Sequence, residues 1–145
     1  HITSLQPPPS LSRPEVDTDI LPFCEQKNIG VIVYSPMYSG LLTGKMTAER
    51  IKNMPSDDWR QRDPEFQMPK LEKNLQLVAA LSEIGKQHGV EPGVVAIAWT
   101  LRHPAVTGSI VGLRRPSQVD GIYPSIKFRL SPQEIEKLNG IAGIA

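Results

Sequence analysis

Cysteine is nearly absent: Cys24 is the single one in 145 residues. No disulfide framework can form, and a lone thiol inside an apolar stretch is expected to be a buried packing residue. That usage fits a reducing, cytoplasmic setting. Long apolar runs are also missing. None approaches the ~20 residues of a membrane span, and no signal peptide is read at the amino end. Charge of one sign is not in excess, since 16 lysines and arginines face 15 acids, interspersed along the chain. This excludes a nucleic-acid footprint. With three histidines and no HExxH, paired-cysteine or Ser-His-Asp pattern, no metal site or nucleophile is expected. His88 and His103 are instead expected at helix ends, beside the last carbonyls.

What is abundant is proline, 14 residues, about twice the usual ~5%. Most of them mark boundaries, as Pro14, Pro92, Pro104, Pro116 and Pro132 do. A short strand is expected at residues 2–6, then a helix at 17–27 with acids in its first turn, closed by Asn28 and Gly30. Pro22 is tolerable there only in the first turn or at a kink. A strand at 31–34 opens into a loop-rich stretch up to residue 69, long enough to be functional or mobile. Leu71, Leu75, Val78, Leu81 and Ile84 recur at helical spacing up to Gly89. Pro92 begins a helix that is apolar almost all round and therefore deeply buried, running to His103. A buried strand at 105–111 follows, then a short helix from Pro116. The last helix carries the capping box Ser131-Pro-Gln-Glu134 and an apolar stripe of Ile135, Leu138 and Ile141. This strand–helix alternation is the rhythm of a parallel α/β sheet, in one domain spanning 1–145.

Two segments carry chemistry. In the first, an apolar β-branched run ends at Tyr34 and opens into Ser35-Pro36-Met37-Tyr38-Ser39-Gly40, with Lys45 close behind. A strand that ends in such a loop can deliver backbone N–H groups to an anion. In the second, the strand ending at Val111 turns at Gly112 into Arg114 and Arg115, and Pro116 suits a helix start. Guanidinium forks there match a phosphate in charge and geometry.

Together, in this order and spacing, the two segments resemble the loops after strands seven and eight of the aldo-keto reductases. The resemblance runs from Ile2 to about Ile141. It implies α/β architecture built of parallel (β/α) units from the carboxyl-terminal part of a TIM-type (β/α)8 barrel, incomplete in this chain. The implied cofactor is NADP (NADPH). Gln6 would hydrogen-bond the nicotinamide carboxamide, and Tyr34 would stack on that ring. Ser35, Pro36, Met37, Ser39 and Gly40 would line the pyrophosphate, mainly through main-chain N–H groups. Lys45 either neutralises phosphate or is solvated. Gly112, Arg114 and Gln118 would hold the adenosine phosphate, with Arg114 favouring NADP over NAD. Trp59 either tethers the long loop or covers a small-molecule carbonyl substrate. Pro9, Gly121 and Ile122 stand where relatives often carry an aromatic residue, Glu and Asn, so substrate and adenine contacts depart from the family pattern.

The family's tyrosine, lysine, aspartate and histidine come from the first half of the barrel, and none matches here. No catalytic residue is assigned. Three adjacent parallel strands leave two open edges, so the chain is read as a fragment of a longer polypeptide. The other possibility is that an amino-terminal half or a second copy covers the edges. The corresponding functions are the NADP(H)-binding portion of a reductase, inactive alone, or a non-catalytic nucleotide-binding or self-associating module.

Overall fold

Val31 and Val33 are fully buried while Ile32 and Tyr34, alternating with them, are 36% and 41% exposed. That two-residue period places strand β2, Gly30–Tyr34, at the centre of a three-stranded sheet. A computed structural model of the chain describes residues 1–144. Strand β1 (Ser4–Leu5) and strand β3 (Val106–Ile110) flank β2, and both pair with it in parallel. The register pairs Leu5 with Val31, and Tyr34 with Ile110, so β2 and β3 end side by side. Between Val31 and Ile32 the register slips past Thr107, whose hydroxyl donates to the Val31 carbonyl at 3.1 Å.

Helix α1 (Ile20–Gln26) packs Leu21 and Cys24 on Val31, Val33 and Ala105. Pro22 falls in its first turn, where the missing N–H costs nothing. Of the acids expected in that turn, Asp17 lies earlier, in a 3-10 turn at Glu15–Asp17 where it pairs with Arg102, and Asp19 is the N-cap of α1. Asn28 reverses the chain at φ 53°, and Gly30 belongs to β2.

The long stretch after β2 is packed. It contains 3-10 turns at Tyr38–Thr43, Trp59–Arg62 and Pro64–Phe66, and helix α2 at Ala48–Lys52. Leu41, Met46, Ile51 and Phe66 close over Leu71 in their own apolar cluster. Buried Glu65 fastens this segment to helix α3 (Lys70–His88) through Lys70 at 2.6 Å and Asn74 at 3.0 Å.

Helix α4, Pro92–Thr100, is buried at every position from Gly93 onward. It ends at Thr100 and not at His103, because Pro104 keeps the residue before it out of the helical region. His103 then accepts from the Ala105 N–H through Nδ1 at 3.2 Å. Helix α5 starts at Gln118 (Gln118–Ile122), two residues past Pro116, and a 3-10 turn at Tyr123–Ile126 extends it.

The expectation of a buried third strand is corrected. The residues of β3 are half-buried or exposed, with Ile110 at 47%, because β3 is an edge strand with no strand beyond it among the described residues. The apolar face of β2 opposite the helices, Ile32 and Tyr34, is likewise uncovered.

Helix α6, Pro132–Ala142, begins in the expected capping box. The Glu134 carboxylate accepts from the Ser131 N–H at 2.7 Å, and the Glu134 N–H donates to the Ser131 hydroxyl at 3.3 Å. His88 does not turn to the α3 carbonyls; its Nε2 lies 2.6 Å from the Glu134 carboxylate. Partial burial pushes the Glu134 carboxyl up, but the Ser131 N–H and hydroxyl and the His88 ring outweigh it and hold it below its ordinary value. A depressed folded-state pKa stabilises above the unfolded-state value, and that stability is lost as pH falls through the folded-state one. Glu134→Gln is therefore expected to lower the urea midpoint at pH 7. The gap from the unaltered chain should begin to narrow as pH falls below about 4, the ordinary glutamate range, and go on narrowing below it.

Candidate functional site

The sheet register sets the site. Because Tyr34 lies opposite Ile110, the loops leaving β2 and β3 emerge together at the carboxyl rim. They enclose a cleft of about 560 Å³ lined by Tyr34, Ser35, Pro36, Met37, Ser39, Gly40, Thr43, Lys45, Met46, Arg50, Trp59, Arg60, Ile110, Gly112, Leu113, Arg114 and Gln118. Every residue assigned from sequence is here except Gln6. That residue is exposed just past β1, outside the lining.

The first loop is unusual in its backbone. Ser35, Tyr38 and Ser39 have φ of 53°, 43° and 50°, and Gly40 has 92°. Left-handed angles at non-glycine residues cost on the order of 1–3 kcal/mol each and persist only where surrounding contacts impose them. Their effect is to alternate the fate of the N–H groups. Those of Tyr38 and Gly40 bond to the carbonyls of Ser35 (2.9 Å) and Met37 (3.2 Å). Those of Ser35, Met37 and Ser39 have no hydrogen-bond partner among the described residues. Gly40 thus lines the cleft without offering its N–H, contrary to the sequence expectation.

The second loop is held differently from the expectation. Gly112 has no left-handed angle, and nothing lies within 4 Å of where its Cβ would sit, so it keeps space open and does not make the turn. Gln118 makes it: the side-chain Oε1 accepts from the N–H of Arg114 at 2.7 Å and of Arg115 at 3.0 Å. The Gln118 oxygen is consumed in this, which leaves its amide N–H₂ and the Arg114 guanidinium for a ligand.

Two further cations join Lys45 and Arg114. Arg50 was not singled out from sequence. It is placed by α2, whose cap Thr47 accepts from the Arg50 N–H at 3.0 Å, and its guanidinium donates to the Lys45 carbonyl at 2.9 Å. Thr47 three residues ahead was the available signal. Arg60 reaches the Ser39 carbonyl at 3.4 Å while gripping Asp58 at 2.5 Å and 2.9 Å. That guanidinium holds the Asp58 carboxyl down to about 2. Trp59 is 52% exposed at the cleft and sets its ring edge-on to Phe66.

The lining contains cations, hydroxyls, an amide and one phenol, Tyr34, but no aspartate, glutamate, histidine or cysteine. Such a surface attracts phosphates and offers no carboxylate or imidazole for proton transfer. Among the described residues no three side chains of metal-ligating type gather, and no helix is long and apolar enough to cross a membrane.

The chain matches known proteins along nearly its full length. It is 30% identical over 139 residues to aldo-keto reductase YhdN of Bacillus subtilis, covering 95% of this chain and 41% of that protein. A Schizosaccharomyces pombe protein, aldo-keto reductase yakc [NADP(+)], is 27% identical over 128 residues, covering 88% and 36%. The solved glycerol dehydrogenase AKR11B4 from Gluconobacter oxydans superposes with a TM-score of 0.85 at 33% identity, over 95% of this chain and 41% of that one. The chain therefore spans roughly two fifths of the length of these relatives, and its three parallel strands form an incomplete barrel. The model of the Aldo/keto reductase family matches residues 1–142, and the chain belongs to that family.

Proposed function

We propose that this chain is the NADP(H)-gripping, carboxyl-terminal portion of an aldo-keto reductase, a single partial domain of a cytoplasmic enzyme that moves hydride between NADPH and a small carbonyl compound. One observation carries the reading: Ser35, Met37 and Ser39, whose N–H groups have no partner among the described residues, line one cleft with the cations Lys45, Arg50 and Arg114. A dinucleotide pyrophosphate supplies acceptors for the first set, and a 2′-phosphate supplies charge for Arg114. In this reading Tyr34, at the end of β2 and in the lining, supports the nicotinamide. Gln6, one strand over, lies outside the lining. A relative named for NADP(+) supports the choice of cofactor.

No carboxylate or imidazole lines the cleft, and its one phenol, Tyr34, is assigned to the nicotinamide, so in this reading the proton for the carbonyl oxygen comes from the rest of a completed barrel. When bound, NADPH would supply the hydride; the residues here bind and orient it. The test is titration of the purified chain with NADP⁺ and NAD⁺, followed by fluorescence or calorimetry. Arg114→Ala is expected to raise the dissociation constant for NADP⁺ about 10–100-fold, the worth of a charge-assisted contact, and to change that for NAD⁺ far less. Equal loss for both nucleotides, or no binding by the unaltered chain, refutes the reading.

A further inference from the structure

Tyr38 lies in the middle of the cleft-forming loop, yet it does not line the cleft. Its ring turns the other way, to within 6.0 Å of the Phe66 ring centroid. Its hydroxyl donates to the Asp63 carboxylate, at 3.1 Å to Oδ2 and 3.3 Å to Oδ1. Asp63 itself is fixed, accepting from the Glu65 N–H at 2.8 Å, and Glu65 is anchored to α3. Tyr38 also begins the run of left-handed residues, 38 to 40, in which the Ser39 N–H has no partner among the described residues. A bulky residue does not take φ 43° of its own accord, so something must hold it there.

From this geometry we infer that Tyr38 is a positioning residue for the nucleotide: the Tyr38–Asp63 hydrogen bond holds the loop in the shape that presents N–H groups to the pyrophosphate. The inference rests on the proposed nucleotide site and deepens it. The hydroxyl acts through the backbone and touches no ligand. Phe66 and Asp63 both belong to the long excursion after α2, so that segment serves as the buttress of the phosphate loop. Arg114 and Gln118, on the other loop, would hold the adenosine end and make no hydrogen bond to Tyr38 or Asp63 among the described residues.

The test compares two ligands on the Tyr38→Phe chain, which keeps the ring and loses only the hydroxyl. NADP⁺ carries the pyrophosphate, and adenosine 2′-monophosphate carries only the group that Arg114 would meet. Tyr38→Phe is expected to weaken NADP⁺ about 5–10-fold and to leave adenosine 2′-monophosphate unchanged. Asp63→Ala, which removes the acceptor, should weaken NADP⁺ at least comparably, and Tyr38→Phe should add little on top of it, because both remove the same contact. Unchanged NADP⁺ affinity in Tyr38→Phe overturns the inference, as does equal weakening of both ligands, which would mark a general loss of structure. If the unaltered chain binds neither ligand, the nucleotide site itself fails and this inference falls with it. Binding of adenosine 2′-monophosphate by the unaltered chain keeps the two failures apart.

Discussion

Trp99→Ala is expected to lower the unfolding free energy by about 3–5 kcal/mol. Trp99 is fully buried in the cluster that joins α3, α4 and α6 through Leu77, Leu81, Val95 and Leu138. Its indole N–H donates to Asn139 Oδ1 at 2.9 Å, and the Arg102 guanidinium stacks 3.7 Å from its ring centroid. Arg102 in turn holds Asp17 near the start of α1. Truncation therefore opens a large void, strands the Asn139 side-chain oxygen and removes the ring on which Arg102 stacks. Such a loss is a large fraction of the 5–15 kcal/mol typical of a domain. Urea denaturation followed by circular dichroism checks it. Trp99→Phe, which refills most of the volume, should cost clearly less; equal losses would mean that packing is not what Trp99 contributes.

The second large effect concerns turnover. Mixed with NADPH and a reactive aldehyde, the chain alone is expected to oxidise cofactor slower than a complete family member by at least the ~10²–10⁴-fold that a positioned general acid contributes. The reason lies in the lining: Tyr34 is its one phenol, and no carboxylate or imidazole stands beside it to relay a proton. Nucleotide affinity should survive, because the N–H groups and guanidinium groups are all present. Supplying the preceding (β/α) units of a relative in trans should restore measurable turnover. Ordinary family rates from the chain by itself would defeat this prediction and the role assigned to the cleft.

Much of this was legible in the sequence because local chemistry decides it. Pro92 and Pro132 fix helix starts by their missing N–H, Gly89 fixes a helix end at φ 66°, and the Ser131–Glu134 capping box forms as written. The pairing of the two cleft loops also followed, since parallel strands joined by helices bring their carboxyl ends to one rim. What escaped depends on neighbours. The burial of residues 106–110 could not be read from their apolar character, because burial needs an adjacent strand. Gly112 looked like a turn residue, whereas the turn is made by the side chain of Gln118, four residues beyond Arg114. Tyr38 and Arg50 were passed over for a related reason. Side-chain direction in a left-handed turn follows no period, and Arg50 reaches the cleft only through the placement of a short helix.

The uncovered rims of the sheet carry an arithmetic consequence. β1 and β3 are different edges running in the same direction, so a second copy that continued the sheet in parallel would meet the first head to tail, β1 of one against β3 of the next. Contacts of that type close into rings or grow without limit. A barrel of this class closes at eight strands, and three does not divide eight. Repeating this unit overshoots or falls short, whereas a five-stranded complement meets both rims at once.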